Sequence, residues 1–421
     1  MLKLERLVIK KLFGTFDYTI DFKPDDLTVL ISPNGYGKTT ILRILYELAQ
    51  RNFFYFVGLN FQKIEIYLTN EQSIVIEKQN GTNLCITVDG KRYSANFENI
   101  LKQIHNDIPF FQKPGNTQNI AAKLNNILGF EYIIKYVNLQ IDTIREFQFP
   151  NIDLIREQRL LRKIENKKDS NGRRKIGGTY WKQPQSKPKL IFEETLDKYA
   201  NVLKKIIVKA DSEYAEKSRE LDSSYPRRLL ESKNEISEHD FKTRFDKIKE
   251  TQRLLQKYGL SVMYEENPPD FDPVNAKALY VYINDVEEKL RVFESLLKTL
   301  NLFSEILNSR EFPHKNITIS KEYGLKFVTD NSDWLELSDL SSGEQHEIVL
   351  LFDLLFQADK HRLVLIDEPE ISLHIVWQKA FLADMLKIIE LRKISVMVAT
   401  HSPQIVNDFW ENVIDLGGDV T

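Results

Sequence analysis

Buried-strand patterns near both ends of the chain enclose a long stretch of helical pattern. Continuous apolar runs at Leu27–Ile31, Leu363–Asp367 and Ile394–Thr400 are typical of strands that are covered on both faces of a parallel sheet. Helix patterns follow or precede these runs. We therefore predict an α/β fold to which both ends of the chain contribute.

Alternation of apolar and polar residues predicts a second, antiparallel sheet. Residues 1–31 have the pattern of two strands around a turn at Gly14. Three alternating runs follow, Ile64–Leu68, Ile74–Glu77 and Leu84–Val88, and Asn-Gly and Asp-Gly turn signals separate or close them. We expect this small sheet to lie beside the glycine-containing loop at Ser32–Thr40. Residues 97–148 have a mostly helical pattern.

The segment between residues 191 and 311 is long, charged and helical in pattern. In its last arm apolar residues recur at alternating spacings of four and three, the pattern of a coiled-coil seam. They are Leu279, Ile283, Val286, Leu290, Phe293, Leu297 and Leu300. At ~1.5 Å per residue this arm is predicted as one helix on the order of 50 Å long. An earlier helix from Ile191 to Ser224 is predicted to end before Pro226, which gives a helical hairpin or a three-helix bundle.

These patterns divide the chain into three predicted domains. Residues 1–190 form an N-terminal lobe, residues 191–312 form a helical coiled-coil insert, and residues 313–421 form a C-terminal lobe. The end of the first domain, residues 162–189, is rich in Lys and Arg and is called the basic loop here. Its side chains are candidates for contact with nucleic acid or an acidic partner; a solvated surface loop is the alternative.

The stretch Ser32–Thr40, S-P-N-G-Y-G-K-T-T, joins a buried strand to an apolar helix pattern. This is the context of a phosphate-binding loop, whose glycines let the backbone curl with its N–H groups inward. We expect Lys38 to reach the β- and γ-phosphates and the Thr39 hydroxyl to bind Mg²⁺. Ser32 stands where the usual pattern has a glycine, which makes an ordinary glycine-rich turn the alternative. The candidate nucleotide-binding residues are Asn34, Gly35, Tyr36, Gly37, Lys38, Thr39 and Thr40.

Three further motifs occur in order near the C-terminal end. The first, L-S-S-G-E-Q at residues 340–345, precedes an apolar helix and offers a helix N-terminus with free N–H groups. The second, L-V-L-I-D-E-P-E, puts Asp367 and Glu368 at the carboxyl end of a strand, where we expect a Mg²⁺ ligand and a general base. The third, A-T-H-S, puts His401 at the end of the next strand, as a candidate to bond the γ-phosphate.

The phosphate-binding loop and these three motifs, in this order, resemble the head of an ABC-type ATPase of the SMC–RecF–OLD class. The resemblance implies a mixed sheet with flanking helices, split by a helical hairpin or coiled-coil insert, that binds and hydrolyses ATP with Mg²⁺. It also implies catalytic roles for Lys38, Glu368 and His401, the last as the switch histidine. Gln158 then matches the Q-loop glutamine, which senses Mg²⁺ and the γ-phosphate.

The same resemblance implies that heads act together. Ser341, Gly343 and Glu344 match the signature that closes over the ATP of a second head, in a dimer or a larger symmetric assembly. The segment Glu370–His374 stands where the D-loop lies.

Two short motifs narrow the resemblance further. I-R-E-Q-R-L, around residue 158, and E-P-E-I-S-L-H are similar to those of stand-alone ATPases of antiphage defence, such as the ATPase subunits of PARIS, Septu and retron systems. This implies a separately encoded nuclease or toxin effector and a phage-derived trigger. Ser32, Tyr36 and Ile375 depart from the usual patterns, which leaves the subfamily open.

Two alternatives to an antiphage-defence ATPase can be compared with the composition of the chain. A DNA-repair or chromosome-associated ATPase would use the basic loop and the helices to grip DNA, but the net charge is only −3 and the single Cys85 provides no metal hook. A nuclease within the same chain is not expected, because only about twenty residues follow His401. No apolar run approaches the roughly 18 residues of a membrane span, so we expect a cytoplasmic protein with no membrane contact.

Overall fold

A computed structural model describes residues 2–79, 83–96, 148–155, 188–260, 270–310, 314–331, 333–371 and 373–418. The strands are β1 Leu4–Leu12, β2 Phe16–Asp21, β3 Leu27–Ile31, β4 Lys63–Leu68, β5 Ser73–Lys78, β6 Asn83–Val88, β7 Lys91–Asn96, β8 Ile152–Ile155, β9 Lys315–Ser320, β10 Gly324–Thr329, β11 Trp334–Leu335, β12 Leu363–Asp367, β13 Ser395–Thr400 and β14 Val413–Asp415. The helices are α1 Lys38–Ala49, α2 Phe53–Gly58, α3 Pro188–Glu231, α4 Glu238–Lys257, α5 Ala276–Arg291, α6 Glu294–Ser309, α7 Ser342–Phe352, α8 Ile375–Arg392 and α9 Pro403–Val406.

The chain forms two compact units. The first contains residues 1–159 and 358–421, and the second contains residues 160–357. Strands β9 to β11 and helix α7 thus belong to the same unit as the helices before them, although the sequence places them in a lobe with His401. The predicted domain boundaries at residues 190 and 312 stay a prediction.

A parallel sheet in the first unit carries the buried apolar runs. Its strand order is β14-β3-β13-β12-β8, and all neighbours run parallel. Only the last residue of β3 and of β12 is not buried, which fits strands that are covered on both faces. Because the strands are parallel, β3, β13 and β12 end at one edge of the sheet, where ligands of open α/β folds bind. The predicted α/β class is confirmed.

An antiparallel sheet completes the first unit. Its order is β2-β1-β4-β5-β6-β7, so the predicted hairpin at Gly14 and the three predicted alternating strands are present, with β7 added. Side chains of α1, including Ile41, Leu42 and Leu45, are fully buried in a core shared with both sheets. Helix α1 itself contacts β8, β12 and β13. The start of α1 is therefore held against the edge where those strands end.

The second unit contains the predicted helices, and α5 packs against both α3 and α4. Six of the seven predicted seam residues are buried, the exception being Val286. The single long helix is nevertheless wrong, because α5 ends at Arg291 and α6 begins at Glu294. Phe293, at this break, is fully buried, and its ring centroid lies 5.1 Å from that of Tyr214 in α3. The helix is thus interrupted at a residue that packs on α3, although the periodicity continues across it. A coiled coil stays a prediction.

Helix α3 also differs from the expectation, because it continues through Pro226 to Glu231. Proline removes one backbone donor from the helix. Five residues before the proline, the Leu221 carbonyl accepts hydrogen bonds from Ser224 Oγ at 3.2 Å and from Arg228 Nη2 at 2.7 Å. Arg228 also forms an ion pair with Asp285 of α5. These contacts stabilise a turn that the local sequence alone would end.

Several predictions fall outside the described residues. They are the helical pattern of residues 97–147, the Q-loop candidate Gln158, and residues 162–187 of the basic loop. Within the described part, no helix has both the length and the apolar character that crossing a membrane requires.

Candidate active site

The loop between β3 and α1 curls as the sequence predicts. Gly35 has a φ of 94°, and Gly37, the N-cap of α1, has a φ of 86°. Residues other than glycine rarely adopt such backbone angles. A Cβ atom on Gly37 would lie 3.2 Å from side-chain atoms of both Leu12 and Phe13. Gly37 is therefore required both by its backbone angle and by the space available.

Ser32, the departure from the usual pattern, fits its position. Its backbone φ is not positive, so a Cβ atom causes no strain there. The side chain is buried, and its Oγ donates to the carbonyl of Pro33 at 3.2 Å. The loop keeps its curl without the first glycine.

The acidic turn, residues 367–370, begins where β12 ends. Thr39 Oγ1 donates to Asp367 Oδ1 at 3.1 Å, which joins the start of α1 to the end of this strand. Glu368 has a positive φ of 45°, and its N–H donates to the carbonyl of Ala399 in β13 at 2.8 Å. A positive φ is uncommon in a residue other than glycine, and here it turns the chain from the end of β12 into the acidic turn.

Lys38 lies inside the curl, with 4% of its surface exposed. Its Nζ donates to the carbonyls of Ser32 at 2.6 Å and Pro33 at 3.2 Å, so the ammonium sits in the concave side of the loop. Burial lowers the pKa of Lys38 from its ordinary value, and the three carboxylates of the acidic turn oppose that shift. The loop thus holds a desolvated cation.

His401 follows β13 and lies beside two carboxylates. Its Nδ1 is 3.0 Å from Oε1 of Glu370 and 3.9 Å from Oε1 of Glu368. Glu370 is buried, and its Oε1 also accepts from Thr400 Oγ1 at 2.7 Å and from the backbone N–H of His401 at 2.8 Å. The acidic turn therefore holds the end of β13 in place.

Aromatic residues of β2 support the loop from one side. The Tyr18 hydroxyl donates to the carbonyl of Tyr36 at 2.6 Å, and the Phe16 and Tyr36 ring centroids are 5.5 Å apart. Burial raises the pKa of Tyr18 to about 12, so its hydroxyl stays protonated and keeps donating. This support was not predicted from the sequence, although the alternation F-D-Y in β2 places Phe16 and Tyr18 on the same face of the strand.

The signature candidates lie in the second unit, at the start of α7. Ser341 is the N-cap and accepts from the Glu344 N–H at 3.4 Å, while Glu344 Oε2 accepts from the Ser341 N–H at 2.6 Å. This is a complete capping box. Lys315 Nζ lies 3.1 Å from both carboxylate oxygens of Glu344. Glu344 thus stabilises the helix start, and its predicted contact with a nucleotide stays a prediction, as does that of Gly343.

The residues at the sheet edge also fit Mg²⁺. This ion keeps several waters and commonly binds one or two carboxylates together with substrate phosphates. Asp367 and the Thr39 hydroxyl, 3.1 Å apart, form an open donor set of that kind. In the described residues no group of three or more His, Cys, Asp or Glu forms a closed metal cage.

The structure thus brings Lys38, Thr39, Asp367, Glu368 and His401 together at one sheet edge, and their individual roles stay predictions. The sequence placed each of them at a strand or helix end. It did not identify Thr400 or the contact of Glu370 with His401. The signal available was weak, since Thr400 only precedes His401 and Glu370 was assigned to the D-loop position.

Comparison with known proteins gives a family and a set of distant structures. Residues 3–406 match the family described as "AAA ATPase domain". No curated protein sequence matches the chain. The Smc head domain with an extended coiled coil bound to the C-terminal domain of ScpA, from Pyrococcus furiosus, is 15% identical over 99% of this chain and 93% of that chain, with a TM-score of 0.37. The SMC head domain from Thermotoga maritima is 12% identical over 98% of this chain and 94% of that chain, with a TM-score of 0.36.

Proposed function

Because the chain belongs to the family of AAA ATPase domains, we propose that ATP is hydrolysed at the edge where β3, β13 and β12 end, with Mg²⁺ as the metal ion. One observation carries the proposal. A buried lysine in a curled loop, a threonine hydroxyl bonded to Asp367, the strained Glu368 and His401 all meet at this edge.

Each residue has a role that follows from its chemistry. Lys38 exchanges its bonds to the loop carbonyls for the β- and γ-phosphate oxygens, and the loop N–H groups bind the same phosphates. Thr39 and Asp367 would hold Mg²⁺, which would neutralise charge on the phosphates. Glu368 orients the attacking water and accepts its proton. His401 donates to the γ-phosphate.

The test is Glu368→Gln, which keeps the shape and loses the base. General-base assistance is worth roughly 10²–10⁴-fold, so turnover should fall at least about a hundredfold. ATP affinity measured by calorimetry should stay within a few-fold of wild type, because the phosphate-binding loop is intact. The control is Glu411→Gln, an exposed glutamate of the same unit, which should hydrolyse ATP normally. If Glu368→Gln turns over at the wild-type rate, the base lies elsewhere.

We further propose that ATP is bound between two heads of the SMC–RecF–OLD type, in a dimer or a larger symmetric assembly. The support is the exposed Ser341 at the start of α7, in the signature position of that class. Mixing Lys38→Ala and Ser341→Arg proteins should restore part of the turnover that each lacks alone, because one mixed site is then intact. Full turnover from a monomer in analytical ultracentrifugation would refute the paired site.

For the biological role, we propose control of a separately encoded nuclease or toxin in cytoplasmic antiphage defence, with a phage-derived trigger. The support is the resemblance of the I-R-E-Q-R-L and E-P-E-I-S-L-H motifs to those of defence ATPases. Co-expression with the neighbouring gene should protect cells from phage, and Lys38→Ala or loss of the neighbour should remove the protection. Protection by the ATPase alone would contradict this role. Stimulation of turnover by DNA without any partner would favour the DNA-repair alternative.

A further inference from the structure

The peptide unit between Tyr36 and Gly37 belongs to the phosphate-binding loop, and a side chain of β2 holds its carbonyl group. We infer that Tyr18 is a positioning residue: its hydroxyl fixes the orientation of this peptide, so that the Gly37 N–H points into the loop as a donor to a phosphate oxygen. The inference rests on the proposed binding of ATP at this loop, and it adds a residue outside the loop to those that determine affinity.

The first support is the hydrogen bond between Tyr18 and the loop. The Tyr18 hydroxyl oxygen lies 2.6 Å from the carbonyl oxygen of Tyr36. A carbonyl oxygen can only accept, so the hydroxyl is the donor. The peptide bond between Tyr36 and Gly37 is trans, and in a trans peptide the C=O and N–H bonds point in opposite directions. The Gly37 N–H is therefore directed away from Tyr18.

The second support concerns the Gly37 N–H itself. Among the described residues it donates to no protein acceptor, and Tyr18 alone donates to the Tyr36 carbonyl. The carbonyl of Gly37, in contrast, is held by α1, because it accepts from the Ile41 N–H at 2.9 Å. An N–H group at a helix start that has no protein partner is available to an anion. The peptide that carries this donor is oriented by a side chain and not by the helix.

The third support is that glycine leaves this peptide free to rotate. Rotation of a peptide plane changes ψ of the residue before it and φ of the residue after it. Glycine adopts positive and negative φ about equally well, so Gly37 does not by itself select its φ of 86° over the opposite orientation. One hydrogen bond of ordinary net strength is enough to favour one of two orientations of similar energy. The Tyr18 hydroxyl supplies that bond.

The fourth support is that Tyr18 is itself held firmly. The residue is 6% exposed, and it pairs with Ile9 of β1 in the antiparallel sheet. Its ring stacks on that of Phe16, with the ring centroids 5.8 Å apart and the planes within 9° of parallel. Burial raises the pKa of Tyr18 to about 12, so the hydroxyl keeps its proton near neutral pH. The sheet thus presents a fixed donor to the loop.

Calorimetry with two ligands tests the inference on the full-length protein. Tyr18→Phe removes one oxygen atom and keeps the ring, and thermal unfolding checks that the variant is folded. With Mg²⁺ present, its affinities for ATP and for inorganic tripolyphosphate, which has no base or ribose, should both fall roughly 3- to 10-fold, as expected for one hydrogen bond. The matched control is Tyr67→Phe, which removes the hydroxyl of an exposed tyrosine in β4 and should bind both ligands as wild type does.

The two ligands also distinguish the possible failures. Equal affinity of Tyr18→Phe and wild type for tripolyphosphate would overturn the inference. A loss confined to ATP would also overturn it, because Tyr18 would then act on the base or the ribose. If wild type hydrolyses no ATP while Tyr18→Phe still weakens tripolyphosphate binding, the proposed ATPase activity fails and the inference stands.

A spectroscopic measurement separates positioning from a general loss of structure. Protein labelled with ¹³C-carbonyl tyrosine and ¹⁵N-glycine gives one signal for each Tyr-Gly pair, and the chain has three, at residues 36–37, 258–259 and 323–324. Gly37→Ala identifies the first by removing it. In the free protein Tyr18→Phe should shift only this signal, and in wild type tripolyphosphate should shift it most. A Gly37 amide that does not respond to tripolyphosphate in wild type would overturn the inference without any variant at Tyr18.

Discussion

Helices α1 and α7 both begin at candidate anion-binding positions, but their first turns are built differently. At α1 the N-cap is Gly37, which has no side chain to cap the helix, and Lys38 lies buried beside it. At α7 the N-cap is Ser341, in a complete capping box with Glu344. The first N–H groups of a helix need partners from outside its own backbone ladder.

The difference shows which helix start is prepared to bind phosphate by itself. The first turn of α1 lacks a side-chain cap, so its N–H groups remain for a ligand, and a cation accompanies them. The first turn of α7 is already stabilised by its own carboxylate, which Lys315 neutralises in part. We therefore expect α1 to determine ATP affinity, and α7 to contribute to turnover only when another head supplies the nucleotide.

The largest expected effect is that of Lys38→Ala on nucleotide binding. Hydrogen bonds to charged groups are worth about 1.5–3 kcal/mol, so ATP affinity should fall roughly 10- to 100-fold and turnover should be lost. Stability should not fall, since burial disfavours this ammonium in the free protein. Calorimetry with ATP and thermal unfolding measure both effects, with exposed Lys360→Ala as the control. If the ATP affinity of Lys38→Ala equals that of wild type, the start of α1 does not determine ATP affinity, and the contrast with α7 is wrong.

Substitution of alanine for Gly37 at the start of α1 and for Gly343 in α7 should change the stability of the protein in opposite directions. Gly37→Ala forces a positive φ that costs about 1–2 kcal/mol and adds contact with Phe13, so both stability and ATP affinity should fall. In a Phe13→Ala background part of this loss should be recovered. Gly343 lies within α7 without a positive φ, so Gly343→Ala should raise stability by up to about 1 kcal/mol. Denaturant unfolding measures the change in free energy of unfolding for Gly37→Ala and for Gly343→Ala. An equal loss of stability in both variants would contradict the proposed difference between α1 and α7.

Ser341→Ala tests the cap of α7. Loss of a serine N-cap costs about 1 kcal/mol, so the midpoint of denaturant unfolding should fall while ATP affinity at α1 stays unchanged. Ser342→Ala, one residue further along and equally exposed, should have little effect because Ser342 is not the N-cap. A decrease in ATP affinity for Ser341→Ala in monomeric protein would show that α7 contributes to binding within one chain.

The smallest expected effect is proton uptake on ATP binding at alkaline pH. Burial lowers the pKa of Lys38 below its ordinary 10.5 in the free protein, and adjacent phosphates should raise it. Between these two pKa values binding should take up protons, and the uptake should decline as the pH falls below both of them. Calorimetry at pH about 9.5 in buffers of different ionisation enthalpy measures the uptake. The same uptake in Lys38→Ala would assign it to another group.

Much of the site could be predicted because its residues stand at the ends of strongly patterned elements. The apolar runs of β3, β12 and β13 indicate parallel strands, and parallel strands bring their ends to one edge. The location of Lys38, Asp367 and His401 at one edge of the sheet follows from that rule. The bond from Thr39 to Asp367 spans 328 positions in the chain, yet it follows from the same topology.

The helices of the second unit were less predictable. The seven-residue periodicity continues across Phe293, but the helix is interrupted there, where the ring of Phe293 packs against Tyr214 of α3. Pro226 is a strong local stop signal, yet α3 continues to Glu231, and Arg228 beyond the proline forms an ion pair with Asp285 of α5. In both places contacts between helices outweigh local preference.

The sequence by itself determined where the strands end, where the phosphate-binding loop curls and which side chains carry the chemistry, because strand burial and glycine geometry are local properties. Tertiary structure alone decided that Glu370 contacts His401, that Ser32 replaces a glycine without strain, and where α3 and α5 end. These outcomes depend on which side chains meet after the sheet has formed. Contacts between residues distant in the chain leave no periodic trace in the sequence.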